Sequence, residues 1–442
     1  MTCRVLTWCN FLITSALQLP PHFTPIAIRQ PSRKLAMAAA TLPLDSIAVL
    51  SPRVTRVLGQ NPGPFTLQGT NTYLIAPQPS ASNPILPTIL LDTGDGVDEY
   101  IPFLEKAMRG GGADKVASKD GEVPAGKRYV TEIALSHRHH DHVDGLPTVL
   151  ALLAKLRSDP EFTSSPLPLP RLYKKLDEKY DPELIEVLQG LPENSFEPYK
   201  PEGGGVASPL WPIKENDVLS SHREGSSLTT VERVNLRVVE TPGHTADHLC
   251  FLLQEERTLF TADHVLGQGT TVFEDLIAYM DSLSKCSDLL AKTGPSVFHE
   301  DTENRLYPGH GPVVERGRRI LKQYYDHRHE REAQILELLA TPSPSKAHSM
   351  DGSPTWSLEE IVKELYAGFP SDVLRMATKG IFLHVHKLAT NNWPHHVAKI
   401  KCLKYPEYAN GTFGKPPRMP ESMEEWEQVP TSRWAIIKRA AI

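Results

Sequence analysis

The sequence predicts an α/β fold, and three observations carry that reading. From about Val54 to Tyr325, short β-like runs alternate with helical or irregular stretches. The chain has 442 residues, 40% of them apolar, which is enough for one large core and a smaller one. Polar residues of the metal-ligand type follow the ends of the strand-like runs, where loops carry function on a rigid scaffold.

The elements follow in chain order. Residues 1–44 contain no Asp or Glu and carry Arg4, Arg29, Arg33 and Lys34, as a mitochondrial presequence would; Val5 to Leu19 also resembles a short, interrupted signal-peptide core. Met37 offers an alternative start, which would leave a cytoplasmic protein. "TNTYLIAP" and "TILLDTG" read as strands ended by Pro and Gly, "YVTEIALS" as a third, and "RVNLRVVETPG" shows a period of two at Val234, Leu236 and Val238. "HLCFLLQEERTLFTADH" reads as two strands joined at a charged turn. Leu146, Val149, Leu150, Leu153 and Leu156 recur at helical spacing. Residues 109–127, 158–171 and about 192–230 lack apolar periodicity and read as surface loops. A long helical stretch spans Ile320 to Leu339, and "TPSPSKAHSMDGSPT" then marks a boundary. Beyond it, Ser357 and Glu360 form a capping box, "DVLRMATKGIFLHVHKLA" continues as helix and "VAKIKCLKY" as a strand.

Composition excludes some classes. With 47 basic and 53 acidic residues the net charge is −6, so the whole chain has no long-range attraction to polyanions. Five scattered cysteines give neither a zinc spacing nor a disulfide framework, and a reducing compartment is the simpler reading. No stretch outside the N-terminal segment has the ~20 uninterrupted apolar residues of a membrane helix. Between Val373 and Pro406 no acidic residue occurs, while Arg375, Lys379, Lys387, Lys399, Lys401 and Lys404 do; this is either a solvated face or a docking patch for an anionic partner.

The chemistry concentrates in "ALSHRHHDHVDGL", residues 134–146, between a strand and a helix. Imidazole and carboxylate suit zinc and its neighbours manganese and iron, and the lack of nearby cysteine excludes a thiolate site. The packing of these groups into six residues is too dense for one tetrahedral ion with an open position and implies two. Three later fragments also end strand-like runs with such residues: "ETPGHTADH" with His244, "LFTADH" with Asp263 and "LYPGHG" with His310.

Together, "SHRHHDH", "TPGHT", "TADH" and "PGHG" resemble the metallo-β-lactamase superfamily over roughly residues 50–325. "NPGPFTLQGTNTYLI", "LLDTG", "LGQGTTVFEDLIAYMDSL" and "YYDHRHEREAQIL" resemble its lactamase-β-like branch, which includes a mitochondrial endoribonuclease and fungal polyketide-releasing thioesterases. The resemblance implies an αββα sandwich with a small C-terminal helical or winged-helix-like module. The implied layout is an N-terminal extension (1–49), a catalytic domain (50–340), a linker (341–355) and a C-terminal module with its tail (356–442). It implies that His137, His139 and His244 hold one zinc and Asp141, His142 and His310 another, with Asp263 bridging. Arg138 stands where many relatives carry an aromatic residue. Asp92 would fix a ligand tautomer and Asn71 would shape the pocket, although each also fits an ordinary turn or strand-end role. His248 and His264 are expected to support the site or to lie on the surface.

Two such ions would generate a bridging hydroxide at neutral pH, with Asp141 moving the proton. The expected enzyme is a metal-dependent hydrolase, read first as a thioesterase or ester hydrolase that frees acyl or polyketide chains from an acyl carrier protein. The alternative is cleavage of single-stranded RNA gripped by the 373–406 run.

Overall fold

The computed structural model describes residues 43–78, 85–111, 116–118, 121–123, 126–162, 167–221, 233–294, 304–348, 352–390, 399–403 and 433–437. The N-terminal extension read as a targeting segment lies almost wholly outside them.

Two sheets face each other. The first, of seven strands, has the order β1 (Ile47–Val49), β2 (Val54–Leu58), β3 (Asn71–Ile75), β4 (Ile85–Leu91), β7 (Lys127–Ala134), β8 (Arg171–Tyr173) and β9 (Leu210–Trp211). The second, of five, has the order β10 (Val218–Ser220), β11 (Asn235–Glu240), β12 (Leu249–Leu253), β13 (Thr258–Ala262) and β14 (Leu306–Pro308). A separate hairpin joins β5 (Val116–Ser118) to β6 (Gly121–Val123).

Period-2 alternation explains why both faces of these strands are apolar. Tyr73, Ile75, Ile89, Leu91, Leu236, Val238, Leu249, Phe251 and Phe260 point into the layer between the sheets. Their neighbours Leu74 and Leu90 face helices α1 (Tyr100–Met108) and α3 (Leu146–Arg157). Val239, Cys250, Leu252 and Leu259 face α5 (Leu276–Thr293) and α6 (Gly317–Leu339). A strand covered on both faces reads as a continuous apolar run, which is how "YLI" and "LCFLL" stand in the sequence. The layers are helix, sheet, sheet, helix. Two further helices belong to this part, the short α2 (His140–Val143) and α4 (Asp181–Gln189).

A fourth core holds the C-terminal module: α7 (Leu358–Leu365), α8 (Ser371–Thr390) and a three-stranded sheet of β15 (Trp356–Ser357), β17 (Arg433–Ile437) and β16 (Lys399–Leu403). The Ser357–Glu360 capping box is present at the start of α7. Ile335, Leu338 and Leu339 from the end of α6 pack with Ile361, Phe382 and Trp434, so one helix enters two cores.

The stretches read as surface loops contain more structure than their composition indicated. The 109–127 stretch contains the β5–β6 hairpin, and the 192–230 stretch contains β9 and β10, which form the last strand of one sheet and the first of the other. Strands of two or three residues are too short to show a period. Phe162, in the 158–171 stretch, is fully buried, with Arg109 5.6 Å from its ring centroid.

The charged turn between β12 and β13 also hides a carboxyl. Glu256 is fully buried, Ser51 Oγ donates to its Oε1 at 2.8 Å, and burial pushes its pKa up from 4.5 to about 7. A carboxyl with a raised folded pKa stabilises the fold below its unfolded value and loses that contribution as pH rises through the folded one. The difference between 4.5 and about 7, at ~1.36 kcal/mol per pH unit, is about 3 kcal/mol. Urea midpoints should therefore fall between pH 5 and 7.5, and Glu256→Gln should flatten that fall. An unchanged pH profile in the variant would dismiss Glu256 as its source.

Candidate metal centre

The candidate residues leave the sheets along one rim. Parallel pairing of β4 with β7 brings Asp92 beside the turn that follows Ala134. Antiparallel β3 starts at the same end, and parallel β13 and β14 end side by side at Asp263 and Gly309. The two sheets meet there: Leu249 N donates to Ser136 O at 2.8 Å, and Asn71 N to Gly309 O at 2.7 Å.

All seven side chains singled out in the sequence converge at this rim. His137, His139, His244 and Asp263 form one group, and Asp141, His142 and His310 a second. His139 Nδ1 lies 3.0 Å from both His137 Nε2 and His244 Nε2. His310 Nε2 lies 3.3 Å from Asp141 Oδ2 and from Asp263 Oδ1. Asp263 faces both groups, its Oδ1 3.5 Å from His142 Nε2 and its Oδ2 3.6 Å from His244 Nε2. His140 points outward to Asp144. His248 and His264 are fully buried, which excludes the surface alternative; His248 Nδ1 meets Thr241 Oγ1 at 2.8 Å.

Electrostatics divide the cluster. Burial, reinforced by neighbouring imidazoles, holds His137 and His139 neutral at ordinary pH, with His139 near 4, and burial also lowers His244. Against the cost of burial, the surrounding carboxylates raise His142, and they raise His310 to about 9. The same pairing holds Asp141 and Asp263 ionised despite burial. His142 Nε2 and Asp263 Oδ1 are buried without a hydrogen-bond partner. Inward-facing neutral imidazoles, two carboxylates and orphaned buried atoms fit a divalent transition-metal cation, which would take the place of protons on His142 and His310.

Asp92 organises this set from behind. Ser136 N–H donates to its Oδ1 at 2.7 Å, and Ser136 O–H to its Oδ2 at 2.9 Å. His142 Nδ1–H donates to Oδ2 at 2.8 Å. With its proton given to Asp92, Ser136 Oγ accepts from His137 Nδ1 at 2.9 Å. One carboxylate therefore aims the Nε2 of two histidines. Asp92→Asn would turn an NH2 towards donors, and metal affinity measured by chelator competition should drop about 10–100-fold; a wild-type value would deny Asp92 this role. Asn71 Nδ2 donates at 2.9 Å to both Pro308 O and Gly311 O, holding the turn that bears His310.

Some partners carry no sequence signal. Thr70 Oγ1 donates to Asp141 Oδ2 at 2.8 Å, and His244 Nδ1–H donates to the carbonyl of Val272 at 2.8 Å. Ser136 was readable only as the residue before His137.

Arg138 is not an open cation. Its side chain is 8% exposed, with Nη2 2.6 Å from Glu274, Nη1 3.3 Å from Asp247 and Nη1 3.5 Å from Asp177. Its guanidinium stacks 4.1 Å from the centroid of Tyr180. Lys174, fully buried, pairs with Asp181 and Asp247 at 2.7 Å each.

In the basic C-terminal run, Lys387 turns inward to Glu332 Oε1 at 2.6 Å and leaves the docking face. Lys379 is exposed on α8. The side chains of Arg375, Lys399 and Lys401, and all of Lys404, lie outside the described residues. Among the described residues no helix is long and apolar enough to cross a membrane.

Residues 169–347, which carry His244, Asp263 and His310, match the metallo-beta-lactamase superfamily. The beta-lactamase-like protein 2 homolog of Caenorhabditis elegans is 32% identical over 78% of this chain and 87% of its own length. The atrochrysone carboxyl ACP thioesterase of Aspergillus fumigatus is 31% identical over 77% and 82%. A beta-lactamase domain protein from Burkholderia ambifaria superposes with a TM-score of 0.48 at 17% identity, over 78% of this chain and 89% of that one. On the family match, the identity to the nematode and fungal relatives and these convergent side chains, the chain belongs to the metallo-beta-lactamase superfamily and is a metal-dependent hydrolase.

Proposed function

We propose that this hydrolase is a two-zinc thioesterase or ester hydrolase that releases an acyl or polyketide chain from a carrier protein. His137, His139 and His244 would hold one ion and Asp141, His142 and His310 the other, with Asp263 shared. Bound zinc supplies Lewis acidity and lowers the pKa of a water from 15.7 to about 7.

The nature of the rim carries the substrate reading. Phe65, Leu176, Tyr180 and Val272 are 45–65% exposed, and each lies on a loop that supports the cluster. Within residues 59–71, 136–144, 174–181, 241–248, 263–275 and 309–312 there are four cations against nine carboxylates. Three of those cations, Arg138, Lys174 and Lys175, are spent on internal pairs. Such a rim favours an apolar acyl group over the phosphodiester backbone of RNA, whose binding depends on clustered Lys and Arg. The thioesterase named among the relatives supports the same choice.

The proton transfer in this reading is assigned to Asp141. Thr70 fixes its Oδ2, which leaves Oδ1 to accept from the attacking water and to return the proton to the leaving group. A thiolate, with an ordinary pKa of about 8.5, needs that return far less than an alkoxide. Asp141→Asn should lower kcat about 100-fold; near-normal turnover with both metals bound would remove the assignment.

The deciding experiment incubates zinc-loaded protein with an acyl thioester on a carrier protein and, separately, with a fluorescent single-stranded RNA, using His139→Ala as control. Thioester turnover with intact RNA is expected. RNA cleavage that disappears on neutralising Lys399, Lys401 and Lys404 would overturn the reading, and elemental analysis distinguishes zinc from manganese or iron.

A further inference from the structure

His244 is oriented from outside its own loop. Its Nδ1–H donates to the Val272 carbonyl at 2.8 Å, with Thr271 Oγ1 3.2 Å away. A carbonyl can only accept, so this contact places the proton on Nδ1 and leaves the Nε2 lone pair facing His139. The groups that receive it sit in the connection between β13 and α5, where Thr270 and Val272 are exposed and Gly269 has φ +78°.

That connection is gripped by α6. Arg328 Nη2 donates to Thr270 Oγ1 at 2.5 Å and to Thr271 O at 3.4 Å, and its guanidinium lies 4.8 Å from the ring centroid of Phe273. One turn earlier, Tyr324 O–H donates to Gly269 O at 3.0 Å and accepts from Leu266 N at 3.2 Å. One turn later, Glu332 pairs with Lys387 of α8, and His384 of α8 meets Phe273 edge-on at 6.3 Å. The C-terminal module thus backs the grip on the connection that orients His244.

We propose that Arg328 is a positioning residue for the metal centre, acting on His244 through Thr270–Val272, and that the Glu332–Lys387 pair makes α8 part of this support. The proposal rests on His244 being a ligand. Tertiary partners of this kind set both the direction and the basicity of an imidazole towards its metal.

Cobalt(II)-loaded wild type, Arg328→Gln, Thr270→Val, their double variant, Lys387→Met and His244→Ala test it by chelator competition and by visible absorption. Arg328→Gln and Thr270→Val should each weaken one cobalt about 10-fold or more and change its absorption bands, with the metal-free melting temperature nearly unmoved. The double variant should be no worse than Arg328→Gln, because Thr270→Val removes a contact that Arg328→Gln has already broken. Lys387→Met should shift affinity the same way; wild-type affinity there would overturn the part given to α8. Arg328→Gln with wild-type affinity and spectrum would overturn the whole. If Arg328→Gln does not fold, Thr270→Val at its exposed site decides: weakened binding supports the proposal and unchanged binding overturns it. His244→Ala that still binds both ions would instead sink the ligand assignment, and the proposal with it.

Discussion

Replacement of Asp263 by alanine is expected to abolish hydrolysis, by about 10³-fold or more, and to release metal. This carboxylate faces both histidine groups, within 3.3–3.6 Å of His310, His142 and His244. Without it the seven candidate ligands would be reduced to five imidazoles and Asp141. Metal stabilisation of transition-state charge is worth several kcal/mol, and each ~1.36 kcal/mol is a factor of ten in rate. Elemental analysis and kinetics on the same sample check the expectation. Two metals retained at a near-normal rate would show that Asp263 is not the shared group.

A single methyl at Gly309 should be nearly as damaging. An added Cβ would lie 2.4 Å from Asp263 Oδ1 and 3.0 Å from His142 Cε1. The backbone cannot retreat easily, because Gly309 N donates to Ala262 O and Gly309 O accepts from Asn71 N, both at 2.7 Å. Asp263 must therefore move, and a displacement of about 1 Å at a reacting centre can cost 10²-fold. Gly309→Ala is expected to lose that much in kcat and to lower metal occupancy, with the far-ultraviolet circular dichroism spectrum unchanged. Full occupancy and activity would mean that the close packing under His310 is dispensable.

The parts of the molecule legible in the sequence are those where one residue type has one physical use. Continuous runs such as "LCFLL" announced strands covered on both faces, and imidazoles placed after such runs announced a cluster. Edge strands β9 and β10 stayed hidden because two or three residues show no alternation. Ser136 and the Val272 carbonyl stayed hidden for another reason: a hydroxyl or a backbone oxygen has many uses, and only the fold tells which one applies. Arg138 could be seen as unusual, but its three carboxylate partners come from segments up to 136 residues away and no spacing announces them. Lys387 read as one of a run of exposed cations, whereas α6 supplies the buried Glu332 that claims it.

The 23 residues of α6 rise about 34 Å and serve two hydrophobic interiors, with Leu321 and Tyr324 in one and Ile335, Leu338 and Leu339 in the other. The described part of the C-terminal module is thus not a detachable appendage. Truncation after Ala340 would bare an aliphatic stripe at the tip of a helix whose other end braces the hydrolytic half, and self-association is the expected cost.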